Sequence, residues 1–313
     1  MAHYNLGLAL ACQDRLRESI QHFARARSLA PRQPGFQDTL FPILVTLLQE
    51  EPQAGAAAPL PPLPGNPLVS VIVPTRDRAE LLSDALESLR RQSYANWEAV
   101  VVNDAGADVR RVVGAHGAKV RCIELPARRG PAGARNVGLA QARGAILAFL
   151  DDDDLYAADH LADLVASLRA SNAPLAYSSV ELVEERVAGN ARVPLRRQAF
   201  LPGLRYSRHL LLVRNYIPIN AWGVRRESLA AAGRFDEALP YLEDWDLLLR
   251  LSNLGPFKAT GRMSAEYRVS AEAGDSVTKR HAHRPAVEAL HRRHDDGGHE
   301  LVRLARELYL ESL

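Results

Sequence analysis

The sequence predicts an α/β protein, a mostly parallel central sheet flanked by helices, with a small helical segment at its N-terminus. Three observations carry that expectation. Short Val/Ile-rich runs alternate with helical patterns from residue 68 onward. A charge-poor stretch rich in Pro and Ala, 52–67, separates them from the first fifty residues. Four consecutive carboxylates, Asp151 to Asp154, follow the apolar run Ala145-Ile-Leu-Ala-Phe-Leu150. Ligands of open α/β sheets bind beyond the carboxyl ends of such buried strands.

The chain-wide figures narrow the function classes. At 313 residues the chain can bury a large core, enough for one main domain with appendages. A net charge of +2 gives no bias toward nucleic acid. Cys12 and Cys122 fall in different predicted segments, so no disulfide framework is expected. No apolar stretch reaches bilayer length and no signal peptide pattern opens the chain. The expected location is the cytoplasm, including the inner face of the membrane.

In chain order, residues 1–51 read as helices. Leu6-Gly7, Leu10, Ser19, Phe23, Ala26 and Pro31 resemble one tetratricopeptide repeat, and a weaker helix spans Phe41 to Gln49. An ordinary amphipathic hairpin explains the same residues equally well. A single repeat leaves its apolar face open, so it must pack on something else or end a longer array, and a protein partner is one candidate. The linker is 52–67. Strands are expected at Leu68–Val73, Trp97–Val102, Lys119–Leu125, Ala145–Leu150 and Leu175–Val183, with helices at Ala79–Arg91, Ala134–Ala142 and Ala157–Ala170. Later helices are Arg226–Ala232, Asp244–Leu254 and a terminal segment, Pro285–Leu313, interrupted at Gly297-Gly298. The expected division is 68–175, 176–283 and a helical 284–313.

Each strand end offers polar groups. Pro74 stops the first ladder, and Thr75 or Asp77 is placed to cap the next helix, with Glu80 completing a capping box. Asp104 can accept from a base N–H, although an Asx-turn closed by Gly106 explains it as well. Arg128 to Asn136 reads as a basic Gly-rich loop leading into a helix N-terminus, a setting that attracts phosphate. Asp244 shares a helical face with Leu247, Leu248 and Leu251, where it can complement the helix dipole or act as a general base. Asp154 is expected to cap the helix after the acidic run.

Taken together, Val69-Ser-Val-Ile-Val-Pro-Thr-Arg-Asp-Arg78, Val100-Val-Val-Asn-Asp104, Gly133-Ala-Arg-Asn-Val-Gly138, Phe149-Leu-Asp-Asp-Asp-Asp154, Gly233-Arg-Phe-Asp-Glu237 and Glu243-Asp-Trp-Asp246 resemble a family 2 inverting glycosyltransferase. The resemblance covers roughly 68–269 and implies a GT-A-type fold. It implies transfer of a sugar from a nucleoside-diphosphate sugar, with a UDP-sugar favoured, to a hydroxyl of a glycan, lipid-linked or protein acceptor. It assigns donor contacts to Pro74, Thr75, Arg76, Asp77, Asp104, Arg129, Arg135, Asp151 and Asp152. It assigns Mg²⁺ or Mn²⁺ to Asp153 with Asp151, the base to Asp244, and a positioning role to Glu243.

Two departures stand out. Asp77 replaces a frequent Asn, and Ser270 replaces a His that often follows the Arg-Val step, with His281 or His283 as substitutes nearby. A non-catalytic module that binds a sugar nucleotide is the competing class, but retention of both the acidic run and Asp244 argues against it. A nucleotidyltransferase would need a Gly-rich, Lys-bearing loop after the first strand, and that loop is missing. Sugar and acceptor are set by loops in Ser178–Pro218 and near Trp222, which the sequence does not decode.

Overall fold

The computed structural model describes residues 2–29, 36–51, 60–188, 191–200, 204–271 and 283–313. They fall into two compact units, one drawn from 55–206 and 216–281, the other from 1–54, 207–215 and 282–313. The chain opens with α1 (Ala2–Cys12), α2 (Leu16–Leu29) and α3 (Phe36–Glu50). Then come β1 (Val69–Thr75), α4 (Ala79–Arg90), β2 (Trp97–Asn103), α5 (Arg110–Ala115), β3 (Val120–Glu124), α6 (Gly130–Gln141) and β4 (Ile146–Phe149). Next are β5 (Leu155–Tyr156), α7 (His160–Arg169), β6 (Leu175–Ala188), β7 (Ala191–Ala199) and α8 (Arg208–Leu211). A 3-10 turn at Ile219–Ala221 leads to β8 (Trp222–Arg225), α9 (Arg226–Ala232), α10 (Glu243–Ser252) and β9 (Lys258–Ser270), and α11 (His283–Arg293) and α12 (Glu300–Ser312) close the chain.

The larger unit is built on one sheet in the order β3-β2-β1-β4-β8-β6-β9-β5, with β7 paired to β6. The β3-β2-β1-β4 half is parallel throughout. β8 then runs antiparallel to both β4 and β6, and β9 runs parallel to β6. The parallel half explains the sequence pattern: Val69, Val71, Ile72 and Val73 of β1 are all at most 1% exposed, because helices cover both faces. Close approach of one helix needs Gly138 of α6, where a Cβ would stand 2.5 Å from Ile72 Cγ2.

Several boundaries differ from the sequence reading, for local reasons. α6 begins at Gly130, so most of the stretch read as a loop is the helix's first turn, with Gly130 at φ +74° and Pro131 in its opening positions. α7 begins at His160, three residues later than expected. α5, β7, β8, β9 and the end of β6 beyond the strand expected at 175–183 carry no clear period in the sequence. In β6 and β7 charged residues sit on both faces, among them Glu181, Glu184, Glu185, Arg192, Arg196 and Arg197, which erases the alternation that marks a half-buried strand.

In the smaller unit α1 and α2 form a hairpin. The ring of Phe23 lies 3.0 Å from where a Cβ on Gly7 would be, and Ser19 Oγ donates to Gly7 O at 2.9 Å. These are the residues that carried the repeat resemblance; Pro31 lies outside the described residues. α3 packs on α2, α8 and α12, and α11 packs on α12, with Leu40, Leu44 and Leu48 completely buried. The hairpin thus packs through α2 on α3, and α3 in turn packs on α12 from the other end of the chain. Arg306 secures the joint, its guanidinium donating to the carbonyls of Leu212, His291 and His294. Among the described residues no helix is long and apolar enough to cross a membrane.

Candidate active site

A cleft of the α/β unit encloses about 470 Å³ at the carboxyl ends of the parallel strands. Pairing of β1 with β4 builds its floor. The ladder aligns Ile72 with Phe149, and Leu150 N donates to Ile72 O at 3.0 Å. The acidic turn therefore emerges beside the end of β1, where Thr75 Oγ1 donates to Asp152 Oδ2 at 2.7 Å.

The four carboxylates occupy four different environments. Asp151 accepts from Arg135 Nη2 at 2.7 Å. Burial and the neighbouring Asp153 charge push the Asp152 carboxyl up to about 6, against the opposing pull of the Thr75 hydroxyl and Arg78. Asp153 is raised by burial and by Asp151, and pairs with Arg78 Nη1 at 2.8 Å. Asp154 is 2% exposed and accepts from Asn220 Nδ2 at 2.8 Å and from Arg268 N at 2.9 Å. It does not cap α7, as the sequence suggested. Strand β5 intervenes, and Asp154 instead ties the acidic turn to β9.

Helix capping is also corrected at α4, where the residue before the helix is Arg78 and no side chain caps it. Thr75 is committed to Asp152, and Asp77, at φ +57°, accepts from Ala107 N at 2.8 Å. The second strand end divides its labour similarly. Asn103, rather than Asp104, closes the Gly106 turn, accepting from Gly106 N at 3.1 Å. Asp104 accepts from Arg129 N at 2.6 Å and Gly130 N at 2.9 Å, one amide per carboxylate oxygen. Two amides that the sequence reading offered to phosphate are therefore taken by Asp104.

On the other wall, Arg135 is 4% exposed and joins two elements, donating to Asp151 and, at 2.5 Å, to Glu243 Oε1. Its guanidinium also lies 5.7 Å from the Phe235 ring centroid. Leu242, at φ +65°, turns the chain into α10 so that Glu243, 8% exposed, faces the cleft. Asp244 is half-buried, accepts from Trp245 N at 2.7 Å, and is not on the cleft lining. Burial and the Glu243 charge push its carboxyl up to about 7. The inward helical face expected for Asp244 belongs to Trp245 and Asp246, which are 1% and 0% exposed. Asp246 pairs with Arg250 at 2.8 Å, and Arg250 in turn donates to Ala232 O and Arg234 O, fixing the segment before α10.

The lining unites Pro74, Thr75, Arg76, Asp104, Arg135, Asp151, Asp152, Asp153 and Glu243. Asp77 and Arg129 are not on it; the Arg129 guanidinium pairs with Glu237 at 2.7 Å. The sequence reading did not single out Arg78, Arg192, Tyr267 or Arg268, all of which line the cleft. Arg78 lies inside a segment quoted for the resemblance, and Arg268 is the Arg of the Arg-Val step before Ser270. Arg192 had no signal, since it arrives only through the β6–β7 hairpin. Buried Glu185 holds Arg268 at 2.6 Å and faces Arg192 at 3.4 Å. Ser270 does line the cleft. His281 and the side chain of His283 lie outside the described residues.

No group of three or more His, Cys, Asp or Glu side chains poised for a metal occurs among the described residues. The donor set suits a hard cation held by one or two carboxylates and completed by substrate phosphate oxygens.

The Glycosyl transferase family 2 profile matches residues 70–232. The uncharacterized glycosyltransferase YwdF of Bacillus subtilis is 28% identical over 209 residues, 66% of this chain and 76% of that protein. The succinoglycan biosynthesis protein ExoO of Rhizobium meliloti is 33% identical over 190 residues, 58% of this chain and 55% of its own length. Against two further relatives the chain spans only 36% and 47% of their lengths. Among solved structures, the mannosyltransferase PcManGT from Pyrobaculum calidifontis, in complex with GDP-Man and Mn²⁺, superimposes with a TM-score of 0.58 at 22% identity, covering 88% of this chain and 77% of that one. The fold is shared with that enzyme. The matched profile runs from β1 through the acidic turn to the end of α9, more than half of the sequence, and the chain belongs to glycosyltransferase family 2.

Proposed function

We propose that the protein is a metal-dependent inverting glycosyltransferase of polysaccharide or glycoconjugate synthesis, moving a sugar from a nucleoside diphosphate to an acceptor hydroxyl in the cytoplasm or at the inner membrane face. One observation carries this reading: a single cleft gathers the end of β1, the acidic turn, Arg135 and Glu243 at the start of α10, with Asp244 next to Glu243 in the chain. Relatives such as ExoO support the biosynthetic context. A UDP-sugar is the proposed donor. Solved structures of the same fold are complexes with UDP-GlcNAc and with GDP-Man, so the base is a matter for a donor panel.

In this reading the residues divide as follows. Asp104 holds the Arg129-Gly130 backbone and retains a second lone pair on each oxygen for a base N–H. Thr75 and Asp152 form the ribose side, with Pro74 and Arg76 beside them. Asp153, helped by Asp151, would hold Mg²⁺ or Mn²⁺. The raised carboxyls of Asp152 and Asp153 mark a site short of positive charge, which fits such an ion. A bound divalent ion would stabilise the charge on the departing diphosphate. Arg135 locks Glu243 and so fixes the start of α10, where Asp244 takes the proton of the acceptor hydroxyl. The acceptor oxygen bonds to the anomeric carbon as the bond to the diphosphate breaks on the opposite face, inverting that centre. A carboxyl near 7 is matched to proton abstraction at neutral pH.

The test is release of nucleoside diphosphate from a panel of nucleotide sugars with Mn²⁺, with and without acceptor extracts. Asp244→Asn is expected to bind donor and to fail in transfer. If Glu243→Gln alone abolishes transfer while Asp244→Asn turns over normally, the base is Glu243. If no nucleotide sugar binds under any condition, the enzyme reading falls.

A further inference from the structure

Asp152 and Asp153 draw their ion pair from a different arginine than the rest of the cleft. Arg135 serves Asp151 and Glu243, and Glu185 engages Arg192 and Arg268. Among the described residues it is Arg78 that pairs with them, reaching across from the turn after β1 and placing Nη1 3.2 Å from Asp152 Oδ1 and 2.8 Å from Asp153 Oδ2. One guanidinium nitrogen thus bridges two carboxylates, which is the electrostatic job of a cation. The two arginines are anchored very differently. The Arg135 side chain is 5% exposed, whereas that of Arg78 is 39% exposed. A buried arginine cannot leave its partners without stranding charge, but a part-exposed one is readily taken up by water.

We propose that Arg78 is a displaceable internal counter-ion that competes with a divalent cation for Asp152 and Asp153, and so couples metal binding to nucleotide binding. The inference rests on the reading of Asp153 as a metal ligand. A divalent ion on Asp153 and a guanidinium nitrogen 2.8 Å from the same oxygen would repel each other at contact range, so the two are mutually exclusive. Once displaced, Arg78 still lines the cleft, where a diphosphate gives it a new partner. Metal alone must expel the arginine without compensation, whereas metal arriving with nucleotide does not. Each ligand therefore strengthens the other by the same factor.

The experiment is a Mn²⁺ titration of the whole chain followed by electron paramagnetic resonance, alone and with UDP or GDP, for the parent, Arg78→Gln and Arg78→Lys. Arg78→Met replaces the glutamine variant if that one folds poorly, since either change removes the charge. Arg78→Gln is expected to bind Mn²⁺ alone on the order of tenfold more tightly than the parent, with a smaller gain on adding nucleotide. Arg78→Lys, which keeps the charge, should resemble the parent. Equal or weaker Mn²⁺ binding by the neutral variant, with nucleotide still raising the affinity of the parent, overturns the proposal and leaves the metal reading standing. Absence of Mn²⁺ binding in every protein, with either nucleotide, removes both.

Discussion

Arg135 Nη1 and Glu243 Oε1 lie 2.5 Å apart, although 108 residues separate them in the chain. The contact joins the start of α10 to α6, and the second arm of the same guanidinium reaches Asp151 of the acidic turn. Arg135 is therefore the common counter-ion of two carboxylates on the cleft wall, itself almost completely buried. Removing it strands both negative charges. Arg135→Met is expected to lower stability by about 3–5 kcal/mol, read from denaturant unfolding, and to abolish donor-dependent turnover. Glu243→Gln keeps a hydrogen-bond acceptor for the arginine and should cost clearly less.

Asp244 gives a pH signature. Its carboxyl, pushed up to about 7 by burial and by Glu243, must be ionised to act as base. The proposed mechanism predicts that kcat/KM rises with pH through about 7 and levels above it, and that Asp244→Asn lowers kcat by roughly 10²–10⁴-fold. Initial rates over a pH series check both. A flat profile across this window would remove Asp244 as the base.

The same shifts affect stability, with the opposite slope to an ordinary paired carboxylate. Asp152 near 6 and Asp244 near 7 both stand above the unfolded value of about 4. Between about 4 and 7 these two carboxyls bind more protons in the folded chain than in the unfolded one. The contribution of these groups is complete below about pH 4 and is lost as pH rises through 6 to 7. His160 and His291, held low by burial, contribute with the opposite sign, so the difference in thermal unfolding between the parent and Asp244→Asn over a pH series isolates the upper part of this decline.

Gly138 offers a test of packing against propensity. Gly→Ala in a helix interior ordinarily stabilises by about 1 kcal/mol. At Gly138 the new methyl would lie 2.5 Å from Ile72 Cγ2, at the contact of α6 with β1. Gly138→Ala is expected to destabilise by about 1–3 kcal/mol instead, seen in the midpoint of urea unfolding.

Asp104 positions a loop, which separates binding from chemistry. Asp104→Ala releases the amides of Arg129 and Gly130. A loss of about 1–3 kcal/mol in stability is expected. Donor KM should rise while kcat changes little, since the reacting groups lie on the opposite wall. Steady-state kinetics with saturating acceptor distinguishes the two parameters.

The strands of the parallel half were legible because burial on both faces writes itself as unbroken Val/Ile runs, as at β1 and β2. The acidic turn was legible because four adjacent carboxylates serve no purpose in a plain turn. Individual roles within these segments were less so. Capping was assigned to Thr75, Asp77 and Asp154 on spacing, yet each satisfies a group distant in sequence: Asp152, Ala107, and Asn220 with Arg268. Hydrogen bonds of that kind leave no local period.

By itself the sequence determined the α/β class, the order of the parallel strands' carboxyl ends and the family motifs, because local burial and turn chemistry are encoded within a few residues. Tertiary structure alone decided which charges meet. It set Arg78 on Asp152 and Asp153, Arg135 between Asp151 and Glu243, and brought Arg192 into the cleft on a hairpin without hydrophobic period. It also joined helices from the two ends of the chain in one unit. Coulombic partners depend on distance in space, and a linear pattern records only distance along the chain.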